Sequence, residues 1–251
     1  MQSAEERNDE HYSRMIAHNL GTPAGIRGDF GEALRWLRRM LRTDQKEAPM
    51  PQEAVAYLNM ARCYLYQGDF AASESNLEKA LDRCQLFNLV AARAETFEAY
   101  GNLYRERGDF ERANEYYERA ARTYDDAGIS LGRTEWYEER ALLSLQVGDF
   151  SAARNLIDRL LSGRSKEKDE IPFHTAMLTR GRIRTAQGEY EGARDELTEA
   201  LKYFRDHSLY YYEAQASMAR ATCDLKLGDE REARERLARE AREALRRMRA
   251  P

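Results

Sequence analysis

A Gly-Asp-Phe tripeptide recurs every 40 residues along the chain. It begins at positions 28, 68, 108 and 148, and the related strings Gly-Glu-Tyr and Gly-Asp-Glu begin at 188 and 228. Because the spacing does not drift over six copies, the chain is predicted to consist of structural units of one fixed length. Units that repeat in this way are stacked, each against its neighbours in sequence.

Apolar residues occupy regular places on both sides of each tripeptide. They follow one another in steps of three and four, as in Leu77, Ala80 and Leu81 after the second copy and Phe97 and Tyr100 before the third. Steps of this size mark the buried face of a helix. Each unit is therefore predicted to contain two antiparallel helices, with the tripeptide as the turn between them.

The chemistry of the tripeptide supports a turn between two helices. A glycine such as Gly68 accepts the left-handed conformation that ends a helix, and an aspartate such as Asp69 caps the free amides at the start of the next helix. Small residues return seven positions before each glycine, where they let two helices approach closely. The helix pairs are predicted near residues 14–45, 52–88, 91–128, 132–163, 172–207 and 211–249.

Composition and charge exclude several classes of protein. The formal net charge of −4 arises from 40 basic and 44 acidic residues, so no overall field favours nucleic acid or an anionic membrane. No apolar run approaches the roughly 20 residues of a membrane span, and residues 1–13 lack the apolar centre of a secretory signal. The three cysteines have no CxxC spacing. A cytoplasmic protein without direct binding to nucleic acid or membrane is expected.

The pattern around the tripeptide resembles the tetratricopeptide repeat (TPR). The resemblance is fullest over Tyr57, Met60, Ala61, Tyr64, Gly68, Asp69, Phe70, Ser73, Leu77 and Ala80. The usual TPR period is 34 residues, and 40-residue variants are known in MalT-like regulators, LGN and kinesin light chains. The resemblance implies an all-α, right-handed α-solenoid of about six helix pairs, forming a single domain over residues 1–251. First helices would line its concave groove.

Function is expected to follow from this groove. The chain has no Gly-rich phosphate loop and no HExxH motif, and its four histidines are scattered, so neither an enzyme nor a cofactor or metal site is expected. The resemblance implies a module that binds a peptide or protein partner in regulation or complex assembly. Two alternatives stay open: the sensor portion of a MalT-like transcription regulator, which binds a small inducer or an inhibitory protein, and a regulatory subunit that restrains an enzyme such as a protease.

The resemblance also implies which residues face the groove. The ligand-facing places of the family correspond here to Leu58, Asn59, Arg62, Glu95, Glu98, Asn102, Arg105, Glu135, Glu138, Leu178 and Arg182. Amide and guanidinium groups are suitable donors for a partner's backbone or carboxylate. Asn59 with Arg62, and Asn102 with Arg105, are therefore candidate partner contacts.

One position changes character halfway along the chain. The residues eight places before the glycines are Leu20, Met60, Tyr100, Arg140, Arg180 and Arg220, and Arg184 follows Arg180 by one turn. Burial of an unpaired arginine is unfavourable because its charge cannot be lost. Two alternatives follow: each arginine pairs with an acidic residue of a neighbouring helix, or the arginines line a channel for an anionic or acidic ligand.

Overall fold

The structure is a computed structural model that describes residues 27–41, 49–129, 133–162 and 170–228, and the single positions 235, 239 and 242. The main ranges form ten helices: α1 (Phe30–Leu41), α2 (Gln52–Tyr66), α3 (Phe70–Leu86), α4 (Val90–Glu106), α5 (Phe110–Asp126), α6 (Arg133–Gln146), α7 (Phe150–Ser162), α8 (Glu170–Gln187), α9 (Tyr190–Asp206) and α10 (Tyr210–Leu227). The described residues contain no strand. The predicted all-α class is confirmed.

The helix pairs lie where the repeat predicts them. The predicted pairs 52–88, 91–128, 132–163 and 172–207 each contain two of the observed helices. The predicted pair 14–45 contributes α1, and the pair 211–249 contributes α10; the remainder of these two pairs lies largely outside the described residues. Each helix pair is one repeat of 40 residues.

Most elbows between the two helices of a pair have the predicted chemistry. Gly68 is left-handed, with φ at +79°. The carboxylates of Asp69, Asp109 and Asp149 each accept a hydrogen bond, at 2.9–3.1 Å, from the backbone amide three residues further on. Glu189 takes this place in the fifth repeat, and its longer side chain makes no such cap.

The chain divides into two compact units, residues 1–132 and 133–250. In the N-terminal unit α2 packs on α3, α3 on α4 and α4 on α5. In the C-terminal unit the same order runs from α6 to α10. The prediction of a single domain over 1–251 stays a prediction.

Ion pairs connect successive repeats within each unit. Arg107, which follows α4, donates to Glu74 of α3 at 2.8 Å. In the C-terminal unit the charges are reversed, because Arg154 of α7 donates to both carboxylate oxygens of Glu189 at 2.6 and 2.8 Å. The arginine hydrogen bond lowers the pKa of each carboxyl group. These bonds are therefore retained at neutral pH and weaken as the pH falls through the lowered pKa of the carboxyl group.

The small residues before the elbows do allow close approach. A Cβ atom on Gly101 would lie under 3.0 Å from three atoms of the Tyr117 ring, and one on Gly181 would lie 2.6 Å from Cγ of Leu197. Tyr117 and Leu197 each lie 16 residues after the glycine they cover, on the second helix of the same pair. The glycines therefore set how closely α4 meets α5 and α8 meets α9.

All three cysteines are buried free thiols, and we expect none to react in the folded protein. Burial raises the pKa of Cys63 to about 12 and also raises the pKa values of Cys84 and Cys223. Because the thiolate is the reactive form, Ellman's reagent at pH 8 should label no thiol rapidly before denaturant is added, and all three afterwards. A Val147→Cys variant, at a side chain that is 54% exposed, provides a control that reacts at once. A native thiol that reacts as fast would contradict the expectation.

Candidate functional site

The first helices of successive repeats contact one another within each unit. Helix α2 contacts α4 in the N-terminal unit, and α8 contacts both α6 and α10 in the C-terminal unit. We call the surface formed by these five helices the first-helix layer. It carries the residues that the sequence assigns to partner binding.

Asn59 and Arg62 both lie on α2 and are partly buried. Nη2 of Arg62 lies 3.9 Å from Oε2 of Glu95 on α4, and these two side chains are 31% and 40% exposed. An ion pair this long and this exposed contributes at most about 1 kcal/mol and is screened by salt. A partner's carboxylate can therefore compete with Glu95 for the guanidinium.

Asn102 and Arg105 lie one turn apart on α4, in different surroundings. Asn102 is partly buried, and its Oδ1 accepts a hydrogen bond of 2.5 Å from the hydroxyl of Tyr117. Arg105 is only 8% exposed and forms an ion pair of 3.2 Å with Glu106. Of these two predicted contacts, Asn102 is the more accessible to a partner.

Three other places that the resemblance assigned to the groove are buried. Leu58 and Leu178 belong to the core, at 0% and 3% exposed, and Glu98 is 3% exposed. Leucine at these places packs against neighbouring helices instead of facing solvent, so the offset of a residue from the elbow does not by itself fix its exposure. The side chain of Glu135 lies outside the described residues.

A carboxylate connects the first helices of the C-terminal unit. Glu138 of α6 accepts hydrogen bonds of 3.0 Å from the hydroxyls of Thr175 and Thr179 on α8, one at each carboxylate oxygen. Arg182 lies three residues beyond Thr179 on α8 and is partly buried. This part of the layer is thus fixed by hydrogen bonds between adjacent first helices.

The arginine series is largely paired with acidic residues. Arg180 lies 2.6 Å from Oε1 of Glu196 on α9 and 3.8 Å from Asp158 on α7. Arg184 approaches the same oxygen of Glu196 at 2.9 Å. Glu196 is 8% exposed, and its Oε2 has no hydrogen-bond partner. For Arg180, the pairing alternative is therefore the one that the structure contains.

The other two members of the series have different neighbours. Arg220 lies 3.8 Å from Asp224 of its own helix, and Asp224 also lies 3.3 Å from Arg194 of α9. The guanidinium of Arg140 lies over the Trp136 ring, 5.6 Å from its centroid. Arg220 thus pairs within its own helix instead of with a neighbouring one, and Arg140 gains a cation–π contact.

The fifth repeat replaces an aromatic cluster by a charged one. In the third repeat Tyr116 stacks on Tyr100 and Tyr104, with ring centroids 4.8 and 5.4 Å apart. Eighty residues later these three positions hold the charged cluster, which we define as Arg180, Arg184 and Glu196. Glu196 escaped the sequence analysis, although its spacing of 16 residues from Arg180 equals that of Tyr116 from Tyr100 and would have identified it.

The described residues include no group of three or more His, Cys, Asp or Glu side chains that could hold a metal ion. His174 and His207 both stack on the ring of Tyr203, at centroid distances of 3.8 and 4.1 Å. His11 and His18 lie outside the described residues. None of the described helices has both the length and the apolar character that a membrane crossing requires.

Comparison with known families identifies the repeat. The sequence model of the MalT-like TPR region matches residues 6–250. The chain belongs to this family. The predicted TPR assignment, in the variant found in MalT-like regulators, is therefore confirmed, and with it the class of all-α helical repeat solenoid. A comparison with curated proteins finds no match to this TPR chain.

Solved structures share the fold at low sequence identity. The Rap conjugation gene regulator of plasmid pLS20, in complex with the Phr* peptide, is 14% identical with a TM-score of 0.71, over 98% of this TPR chain and 77% of its own. A Rap protein complexed with competence and sporulation factor is 14% identical with a TM-score of 0.68, over 94% and 74%. NprR in complex with its peptide NprX is 14% identical with a TM-score of 0.67, over 92% and 65%.

Proposed function

We propose that this TPR chain binds a peptide, or an extended segment of a protein, along its first-helix layer and acts through that binding without catalysis. The observation that carries the proposal is the set of partly buried polar side chains on adjacent first helices: Asn59, Arg62 and Asn102. Their amide and guanidinium groups supply hydrogen-bond donors along two helices in contact, which suits the repeating carbonyl groups of an extended chain. Similar solved structures contain bound peptides, which supports this choice of ligand.

The arginines divide into two groups under this proposal. We assign Arg62 to partner binding, and Arg182 to the equivalent place in the C-terminal unit. Arg105 contributes through its small exposed part. We assign Arg140, Arg180, Arg184 and Arg220 to the stability of the C-terminal unit, because the last three have carboxylates within 4.0 Å and the first covers an indole ring.

The proposal is tested by selecting heptapeptides from a random display library on the intact chain. Selected peptides should bind the wild type and lose about tenfold or more in affinity in an Asn59→Ala/Arg62→Ala/Asn102→Ala variant, since each lost hydrogen bond contributes about 1 kcal/mol. The matched control is Glu78→Ala/Glu115→Ala/Arg122→Ala, which removes three exposed polar side chains from the second helices. Peptides that bind both variants equally well would contradict the proposed surface.

The family match favours a second candidate, the ligand-sensing portion of a MalT-like transcription regulator with a small inducer as its ligand. Native mass spectrometry of the protein from its own host separates the two candidates. A bound small molecule without any peptide or protein partner would replace the first proposal by the second. If a protein co-purifies, its activity with and without this chain shows whether the chain restrains an enzyme or serves in assembly.

A further inference from the structure

The third repeat contains a tyrosine where other repeats have aliphatic residues. Tyr117 corresponds to Leu77, Ile157 and Leu197, which are all fully buried. Tyr117 is itself 0% exposed, and its hydroxyl donates to Oδ1 of Asn102 at 2.5 Å. The third repeat therefore places a polar group inside a helix pair where its neighbours place none.

Packing alone gives no reason for this tyrosine. Its ring requires glycine at position 101, because a Cβ there would lie under 3.0 Å from the ring, and glycine within a helix is less favourable than alanine. Its buried hydroxyl also requires a hydrogen-bond partner. Leu77 fills the same place opposite Ala61 with neither requirement. Residues that break a local rule without a gain in packing are expected at functional places.

The hydrogen bond fixes the orientation of the Asn102 amide. An asparagine side chain offers an acceptor oxygen on one side and a donor NH₂ group on the other. Because Oδ1 points to the buried Tyr117, the NH₂ group is directed away from Tyr117. Asn102 retains partial exposure on the first-helix layer. Its donor can therefore meet a ligand without rearrangement of the side chain.

We propose that Tyr117 is a positioning residue that holds Asn102 as a hydrogen-bond donor toward a main-chain carbonyl oxygen of the bound peptide. This inference rests on the proposed peptide binding and specifies how one of its contacts is made. Preorganisation of this kind raises affinity because less side-chain freedom is lost on binding. The buried hydroxyl thus acts on the ligand only through Asn102.

The same helix supplies a matched control. Tyr124 of α5 is 2% exposed, and its hydroxyl donates at 3.2 Å to Oε2 of Glu98 on α4. Glu98 is 3% exposed, so a ligand on the first-helix layer does not reach it. Tyr124→Phe therefore removes an equivalent buried hydroxyl, with a comparable effect on folding, but leaves the Asn102 amide in place.

The test measures the affinity of one heptapeptide, selected on the wild type, for three variants. Asn102→Asp keeps acceptor oxygens for Tyr117 but removes the donor, so we expect binding about tenfold or more weaker with little change in thermal stability. Tyr117→Phe should weaken binding about fivefold, and Tyr124→Phe less than twofold, although both should unfold at similar, slightly lowered temperatures.

The outcomes separate this inference from the proposed function. If the library yields no peptide that binds the first-helix layer, both fail. If a peptide binds but Tyr117→Phe and Tyr124→Phe have equal effects on its affinity, only the positioning role is overturned. Side-chain amide NMR of the free protein gives a second readout: Tyr117→Phe should increase the mobility of the Asn102 NH₂ group, and unchanged mobility would also overturn the inference.

Discussion

Gly101→Ala should lower the free energy of unfolding of the N-terminal unit by about 2 kcal/mol. The added Cβ would lie under 3.0 Å from the Tyr117 ring, which is fully buried and has its hydroxyl bound to Asn102, so the ring has no free space to enter. Overpacking of this kind typically costs about 1–3 kcal/mol or more, and the better helix propensity of alanine offsets up to about 1 kcal/mol. Denaturant unfolding followed by circular dichroism measures the difference.

The matched control is the same substitution at an open place. A Cβ on Gly31, in the first turn of α1, would meet only Oδ1 of Asp29 at 4.0 Å, so Gly31→Ala should be neutral or stabilising by up to about 1 kcal/mol. If both variants change stability with the same sign and size, the contact between Gly101 and Tyr117 does not limit the approach of α4 and α5.

A double substitution tests the cause directly. Gly101→Ala with Tyr117→Leu copies the combination of Ala61 and Leu77 from the second repeat, and it should recover at least half of the lost stability. By the same comparison Gly181→Ala should cost less than Gly101→Ala, since Leu197 can move as a branched aliphatic side chain and the aromatic ring of Tyr117 cannot. Equal losses at 101 and 181 would contradict this explanation.

The elbows and helix pairs could be predicted because their causes are local. Gly68 and Asp69 determine the end of one helix and the start of the next through their own backbone and side-chain preferences, and the 40-residue register repeats these signals along the chain. The burial of Glu98 and Arg105 could not be predicted in this way. It depends on which residues of other helices cover them, and their offsets from the elbow are shared with residues of different exposure.

The candidate site was predictable only where the period carried it. Arg180 attracted attention because it breaks the apolar series, and the same spacing leads from it to Glu196. The bond between Tyr117 and Asn102 has no counterpart in the other repeats, since Leu77, Ile157 and Leu197 carry no hydroxyl. A period found in the sequence thus locates the scaffold, and residues that occur in one repeat only require the structure.

Glu196→Gln should lower the free energy of unfolding of the C-terminal unit by about 2 kcal/mol. The change keeps the size of the side chain but leaves Arg180 and Arg184 side by side without their common counter-charge. Breaking a buried ion pair typically costs 3–5 kcal/mol, and we take a smaller value because the two arginine side chains are 25% and 27% exposed. Asp195→Asn, at the exposed neighbouring residue, is the control and should change stability by no more than about 0.5 kcal/mol.

A transplant of the aromatic cluster separates charge from shape. The triple variant Arg180→Tyr/Arg184→Tyr/Glu196→Tyr reproduces the third repeat at these positions and should restore wild-type stability or exceed it, since apolar replacement of a buried ion cluster is often neutral or stabilising. If the triple variant is as unstable as Glu196→Gln, the two clusters do not occupy equivalent places.

The selected heptapeptide decides between the two alternatives for the arginine series. If the arginines serve stability, Glu196→Gln and a variant with Gln at positions 140, 180 and 220 should weaken folding and leave peptide affinity unchanged at temperatures where the protein remains folded. If they line a channel for an acidic ligand, loss of three positive charges should weaken binding of an acidic peptide by more than tenfold, with a strong dependence on salt. Since Glu196 lies within 3 Å of both Arg180 and Arg184, we expect the first result.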